Sequence, residues 1–280
     1  MTEVSMADLA GSRHALPYVL NLSLVFTELP LLDRAEAARA AGFTAVEYWW
    51  PFEAPVPDDA EVDAFVASVE RAGVAVTGLN FFPGDMAGGD RGLVTWPGRE
   101  DEFARGIASA IDLGERLGCR RFNALYGNRI DGADPAGQDK LGLSNLALAS
   151  DAAARIGAEI VLEPLSGAEK YPLKTADDVL KVLDELGRDN VKLLADLYHL
   201  AVNGDDLDTV TTVHTGRIGH VQIADAPGRH QPGTGTLDIE GYLEKLQTAG
   251  YRGQVGVEYK PDGPSAESLS WLPFERRGLA

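Results

Sequence analysis

A single cysteine, Cys119, stands in 280 residues, so an intrachain disulfide and a cysteine-based zinc site are both excluded. A cytoplasmic setting is the expectation that goes with this. Cys119 lies in GERLGCRRFNALY, between a helical pattern and a strand pattern, and reads as a packing residue rather than a nucleophile. Basic residues are also scarce. Lys and Arg number 25 against 43 Asp and Glu, a formal net charge of −18. Such a surface repels phosphate backbones, so nucleic acid is not an expected partner. An anionic substrate would need local positive charge inside its site.

Long hydrophobic runs are missing. No stretch approaches the roughly 20 apolar residues that span a bilayer, so no membrane partner is expected. The run Leu16–Phe26 has the length of a signal-peptide core. It carries Asn21 in its middle and leads into Thr27-Glu28 rather than a small-residue cleavage site, so it reads as a buried strand. No glycine-rich phosphate fingerprint follows an early strand, which argues against a doubly wound open sheet. No linker, low-complexity segment or short repeat divides the chain.

What is present is an alternation. Short apolar runs at 19–25, 44–48, 74–80, 121–126, 159–163, 191–195, 218–223 and 254–258 suit strands buried on both faces of a parallel sheet. Amphipathic stretches separate them. LLDRAEAARAAG closes on Gly42, and PDDAEVDAFVASVERAG has acids in its first turn and ends on Gly73. EDEFARGIASAIDLGERLG and QDKLGLSNLALASDAAARIG repeat the scheme. TADDVLKVLDELG opens on a Thr175 cap with Asp178 three positions on, and DIEGYLEKLQTAG runs from Asp238 to Gly250. A short last helix is expected around Ser265–Trp271. Eight such units predict a single α/β domain over 1–280, a (β/α)₈ TIM barrel, whose usual length is about 250 residues.

In such a barrel the chemistry sits at the C-terminal ends of the strands. Strand five ends in Glu163-Pro164, strand six in Asp196-Leu197-Tyr198-His199, strand seven carries Gln222, and strand eight ends in Glu258-Tyr259-Lys260. Glu163, Asp196, Gln222 and Glu258 thus come from four consecutive strands and face one centre. Buried carboxylates so placed repel one another, and a divalent cation resolves the conflict. Four oxygen donors suit Mg²⁺ or Mn²⁺ better than zinc, which favours histidine in hydrolytic sites. His199, three residues past Asp196, is a core histidine or a ligand-binding one. Arg229 lies in the Gly/Pro-rich loop 227–233, which can reach over a barrel mouth, and its guanidinium suits a carboxylate. Lys260 reads as surface charge.

Several blocks are familiar. NLSLVFTELPLLDRAEAARAAGFTAVEYWWP, GLNFFPGDMAGGDRGLVTWPGREDEF, LLADLYHL, HVQIADAPGRHQPGTGTLD and VGVEYKP resemble those of the hydroxypyruvate isomerases, from about Asn21 to Pro261. That family belongs to the xylose-isomerase-like barrels, which include ketose 3-epimerases. The resemblance implies that Glu163 and Glu258 are the acid–base pair and also touch the metal, with Asp196 and Gln222 as the remaining ligands. Gln222 stands where the epimerase relatives usually have His, and so points to the hydroxypyruvate branch. His199 and Arg229 match positions that hold substrate, while Glu47 and Asn80 are weaker carry-overs.

The expected reaction moves a proton from C3 to C2 of hydroxypyruvate to give tartronate semialdehyde. It passes through an enediolate and needs no nicotinamide, flavin or pyridoxal. The expected partner is a small anionic sugar acid, and assembly as a homo-oligomer stays open. Rival readings are an isomerase of a four-carbon oxo-sugar acid, a ketose 3-epimerase, a metal-dependent dehydratase on the same barrel, and a metal-dependent endonuclease of the same superfamily. The acidic surface argues against the last.

Overall fold

Eight parallel strands hydrogen-bond in sequence order, and β8 pairs back onto β1, so the sheet closes into a barrel. The computed structural model describes residues 13–278; the two ends of the expected 1–280 domain lie outside the described residues. The strands are β1 (Tyr18–Asn21), β2 (Ala45–Tyr48), β3 (Ala75–Asn80), β4 (Arg121–Asn123), β5 (Glu159–Leu162), β6 (Val191–Asp196), β7 (Ile218–Ile223) and β8 (Val255–Val257). The helices are α1 (Leu31–Ala40), α2 (Asp59–Ala72), α3 (Glu100–Leu117), α4 (Pro135–Ala154), α5 (Ala176–Leu186), α6 (Leu197–Val202), α7 (Leu207–Thr212), α8 (Ile239–Thr248), α9 (Ser265–Ser268) and α10 (Phe274–Arg277). Among the described residues no helix is long and apolar enough to cross a membrane.

The caps explain where the helices begin and end. Asp58 and Glu61 form a capping box at the start of α2, and Thr175 and Asp178 form one at the start of α5. Gly73, Gly118 and Gly187 take left-handed backbone at the C-terminal caps of α2, α3 and α5, a conformation that costs glycine nothing. Apolar residues at three- and four-residue spacing face the barrel, as with Val179, Leu180 and Leu183 of α5. Each such buried side chain contributes about 1.5–3 kcal/mol by leaving water. Leu183→Ala would cost about 2–5 kcal/mol, because the cavity it leaves cannot fully collapse.

Three strands end sooner than the apolar runs suggest, for local reasons. In β1 the Asn21 side chain accepts the Ser23 amide at 3.0 Å and its carbonyl accepts the Val25 amide at 3.0 Å, turning the chain out of the ladder. After β4 the Tyr126 carbonyl accepts the amide and the hydroxyl of Thr95, both at 2.9 Å, and the Tyr126 amide donates to the Tyr171 hydroxyl. After β8 the next amide, that of Glu258, still reaches the carbonyl of Ile223 at 3.2 Å. Between β6 and β7 the chain forms two short helices, α6 and α7, where the sequence patterns defined none.

Inside the barrel the lower end carries an ion network in which Glu159 binds Arg121 at 3.1 Å and Lys192 at 2.9 Å. The upper end is polar at every strand. Asn21, Asn80, Asn123 and Asp196 close their strands, Glu47 and Gln222 stand one residue before the ends of theirs, and Glu163 and Glu258 follow theirs directly. Two glycines make room for this ring. A Cβ on Gly256 would lie 2.6 Å from Oε1 of Glu47, and one on Gly78 would lie 3.3 Å from Glu47 Cβ.

Candidate active site

A cavity of about 230 Å³ opens above this ring. Glu163, His199, Arg229 and Glu258 line it, together with Trp49, Arg91 and Lys260. Of the residues expected at the site, Glu163 and Asp196 come together with His199: one ligand atom from each lies within 4.8 Å of the others. Glu258 stands on the other side of Arg229, whose Nη2 is 2.5 Å from Glu258 Oε1 and 3.6 Å from Asp196 Oδ2. Arg229 therefore sits among the carboxylates rather than reaching free over the mouth, and its guanidinium also lies 5.6 Å from the ring centre of Tyr198.

The loop carrying Arg229 is tied down by Asp225. Its carboxylate accepts the amides of Ala226, Gly233 and Leu237 at 2.8–3.0 Å, and these bonds outweigh burial and keep its pKa below the usual value. Arg229 itself has a positive φ of 61°, a strained conformation for a residue with a side chain.

Gln222 is held by its nitrogen. Nε2 donates to Glu47 Oε1 at 2.7 Å and to Glu258 Oε2 at 2.5 Å, which leaves Oε1 as the free end of the amide. Gln222 Oε1 and Asp196 Oδ2 are both buried with no hydrogen-bond partner among the described residues. Asp196 spends its other oxygen on the first turn of α6, accepting the amides of Tyr198 and His199. Orphaned buried oxygens cost free energy, and here two of them accompany the Glu163 carboxyl. This donor set fits a hard divalent cation.

His199 has a defined tautomer. The backbone amide of Ser166 donates to Nδ1 at 3.0 Å, so Nδ1 is the acceptor and a neutral ring carries its hydrogen on Nε2. Burial, outweighing the charge of Asp196, pushes the imidazole down to about 4. Its Nε2–H lies 3.7 Å from Glu163 Oε1 and 3.8 Å from Asp196 Oδ2. That makes it a hydrogen-bond donor into the cavity rather than a metal ligand.

The two glutamates are far from ordinary. Burial, reinforced by the Asp196 charge, pushes the Glu163 carboxyl up to about 8. Burial raises Glu258 well above the usual carboxylate range, with Arg229 pulling against it. Glu47, beneath them, goes the other way. Burial is outweighed by His220 at 2.7 Å and by hydrogen bonds from Gln222 and Asn21, so its carboxylate stays ionised. The His220 ring, pushed down by its own burial, is neutral and donates Nε2–H to it.

Sequence reading missed Asn21, Asn123 and His220. Asn21 bridges Glu47 at 3.1 Å and Glu258 at 2.8 Å, and Asn123 donates to Glu163 at 2.7 Å. The signal was available: each is a polar residue in an apolar run, and Asn21 had already marked its run as no leader. Glu47 acts from beneath the two glutamates, and Asn80 lines the same cavity as they do.

Residues 35–273 match the family described as "Xylose isomerase-like TIM barrel". The chain belongs to that family. It is 53% identical over 267 residues to a Streptomyces coelicolor protein named "Putative hydroxypyruvate isomerase", covering 92% of this chain and 96% of the relative. The "Hydroxypyruvate isomerase" of Escherichia coli K12 is 32% identical, with 92% and 98% covered. A "2-oxo-tetronate isomerase" of Haemophilus influenzae is 35% identical, with 91% and 97% covered. The solved structure of "AP endonuclease, family 2 from Brucella melitensis" superposes with a TM-score of 0.84 at 31% identity, covering 91% of this chain and 97% of that one. Among the xylose isomerase-like barrels, this chain is an isomerase.

Proposed function

We propose that the enzyme interconverts hydroxypyruvate and tartronate semialdehyde by proton transfer between C3 and C2. One observation carries this reading: two buried glutamates, placed directly after β5 and β8, line a single cavity, and burial pushes both carboxyls above the usual carboxylate range. A carboxylate oxygen of one glutamate takes the proton from C3, and the other glutamate delivers a proton to C2, with an enediolate between the two steps. The hydroxyl proton of O3 leaves as O2 gains one, so substrate and product have the same composition. His199 Nε2–H and Arg229 stand beside the reacting oxygens as donors. A divalent cation, Mg²⁺ or Mn²⁺, would be held by Glu163, Asp196, Gln222 and Glu258, and would supply positive charge where those oxygens become anionic. No organic cofactor enters.

A four-carbon 2-oxo acid is the second reading, favoured by the relatives named 2-oxo-tetronate isomerase. The chemistry is the same and only the chain length differs. A cytoplasmic enzyme acting on a small anion, without nucleic-acid or membrane partners, accords with the net charge of −18, and a homo-oligomer is compatible with it. The test is incubation of Mn²⁺-loaded protein with three- to six-carbon keto acids and ketoses. An isomeric product from hydroxypyruvate supports the reading. Loss of water would reassign the enzyme as a lyase, and turnover of neutral ketoses alone would make it an epimerase or sugar isomerase.

A further inference from the structure

We propose that Arg91, on the loop between β3 and α3, holds the substrate carboxylate, with Lys260 as a second cation at the cavity mouth. The inference rests on the isomerase reading and names the residue that selects an acid over a neutral sugar. The need for such a residue is plain from the charges. Glu163, Asp196 and Glu258 surround the reacting end, and the chain as a whole carries −18. Arg229 is already committed, bonded to Glu258 at 2.5 Å, within 3.6 Å of Asp196 and stacked on Tyr198, with its side chain 14% exposed.

Arg91 lines the same cavity and pairs with no carboxylate among the described residues. Its Nη1 donates to the carbonyls of Met86 at 3.1 Å and Asp90 at 2.6 Å. Those two bonds orient the guanidinium and leave Nε and Nη2 without a hydrogen bond to any described residue. That free edge is the one a carboxylate takes with two parallel hydrogen bonds. Lys260 is exposed, lines the same cavity and likewise has no ion-pair partner among the described residues; its backbone amide donates to the Arg229 carbonyl at 2.7 Å.

The loop is built to hold Arg91 still. Asp90 Oδ2 accepts the Asp85 amide at 2.8 Å and Arg99 Nη1 at 2.8 Å, and Arg99 is itself clamped by Glu102. Asn128 Nδ2 donates to the Gly89 carbonyl at 2.9 Å, tying the loop to the chain after β4. The next residue, Gly92, is seated so closely that a Cβ there would lie 1.8 Å from the Leu125 carbonyl oxygen. A cation fixed in advance loses little freedom when its anion arrives. The cavity volume of about 230 Å³ lies below the roughly 300–1,000 Å³ of drug-sized ligand pockets, which suits a short acid.

The test uses the full, Mn²⁺-loaded chain and its Arg91→Gln and Arg91→Lys variants. For hydroxypyruvate, Arg91→Gln should raise KM at least about 10-fold with kcat within about 3-fold, the worth of hydrogen bonds to a charged group. Arg91→Lys, which keeps the charge and loses the fork, should fall between, and it serves if the Gln variant does not fold. Dihydroxyacetone, a three-carbon ketose without a carboxylate, should show no matching loss. Malonate, titrated by calorimetry into the same proteins, should bind Arg91→Gln at least about 10-fold more weakly than the parent. An unchanged KM together with unchanged malonate affinity would overturn the assignment, as would equal losses on the acid and the ketose. If the parent enzyme turns over no 2-oxo acid, the function proposed above fails, while the malonate titration still decides the role of Arg91.

Discussion

Glu47 Oε1 accepts the side-chain amide of Gln222 at 2.7 Å, and that bond decides which end of the amide is left unpaired. With Nε2 divided between Glu47 and Glu258, Oε1 is the free end, buried and without a partner among the described residues. Glu47→Gln removes an obligate acceptor and lets the Gln222 amide turn over. The expected outcome is Mn²⁺ affinity lowered about 10–100-fold, the usual cost of losing a group that orients a ligand. Titration of metal-free protein with Mn²⁺, followed by the spin resonance of the free ion, measures it. An unchanged dissociation constant in a folded variant would remove Glu47 from any role in presenting Gln222.

The two glutamates carry the second prediction. Glu163→Gln and Glu258→Gln should each lower turnover at least about 100-fold, the low end of what acid–base catalysis contributes. The amides keep partners, since Asn123 stands beside residue 163 and Asn21 and Arg229 beside residue 258, so folding should survive. Steady-state kinetics with a melting curve for each variant checks both points. Near-normal turnover of either one would reassign its role.

The legibility of this site in the sequence divides by distance along the chain. Residues at the ends of strands were readable in position, because the barrel puts every strand end at one mouth; the placement of Glu163, Asp196, Gln222 and Glu258 there was read that way. The Thr175 cap and the helix start at Asp238 were readable because their bonds are local, whereas Asp58 was not picked out as the cap of α2. Arg229 was readable as a cation on a Gly/Pro-rich loop near the barrel mouth but not as the partner of Glu258. Its position depends on Asp225 gathering amides from as far as Leu237, and on a positive φ at a residue that does not favour one. The support beneath the two glutamates was not readable from the residues; Glu47 was named only through the family resemblance, and His220 was not named. The Glu47–His220 bond joins residues 173 apart, and only the closed barrel brings them within 2.7 Å.

Without metal, stability should depend on pH in an unusual direction. Burial and the Asp196 charge raise the folded Glu163 carboxyl from 4.5 to about 8. The folded state thus binds this proton more tightly than the unfolded chain does. The stabilisation is fully present below the unfolded value, near 4.5, and is lost as pH climbs through about 8. Each unit of separation is worth about 1.4 kcal/mol, so the melting temperature of metal-free protein should fall by several degrees between about pH 6 and pH 8.5. Saturating Mn²⁺ favours the carboxylate and should flatten the dependence. A metal-free melting temperature that is level or rises across this window would mean that Glu163 is ionised throughout it.

The route of the migrating hydrogen is the most direct test of the chemistry. If a glutamate removes it from C3 as a proton, that proton resides on a carboxyl oxygen and exchanges with water before delivery. A hydride shift would instead carry the hydrogen from carbon to carbon without exchange. Among the described residues, one cluster of His, Asp and Glu side chains could hold a metal, the set around Glu163 and Asp196. One cation beside two protonatable glutamates suits an enediolate better than a hydride shift, in which the xylose isomerases use two. The enzyme run in heavy water should therefore place deuterium at C2 of tartronate semialdehyde. That position is itself acidic, so exchange in product incubated without enzyme is measured and subtracted. The complementary experiment uses hydroxypyruvate deuterated at C3 in ordinary water, sampled early in turnover by mass spectrometry. Proton transfer predicts that part or all of the label is lost to water. Complete retention at C2 would favour hydride transfer and overturn the proton-transfer reading.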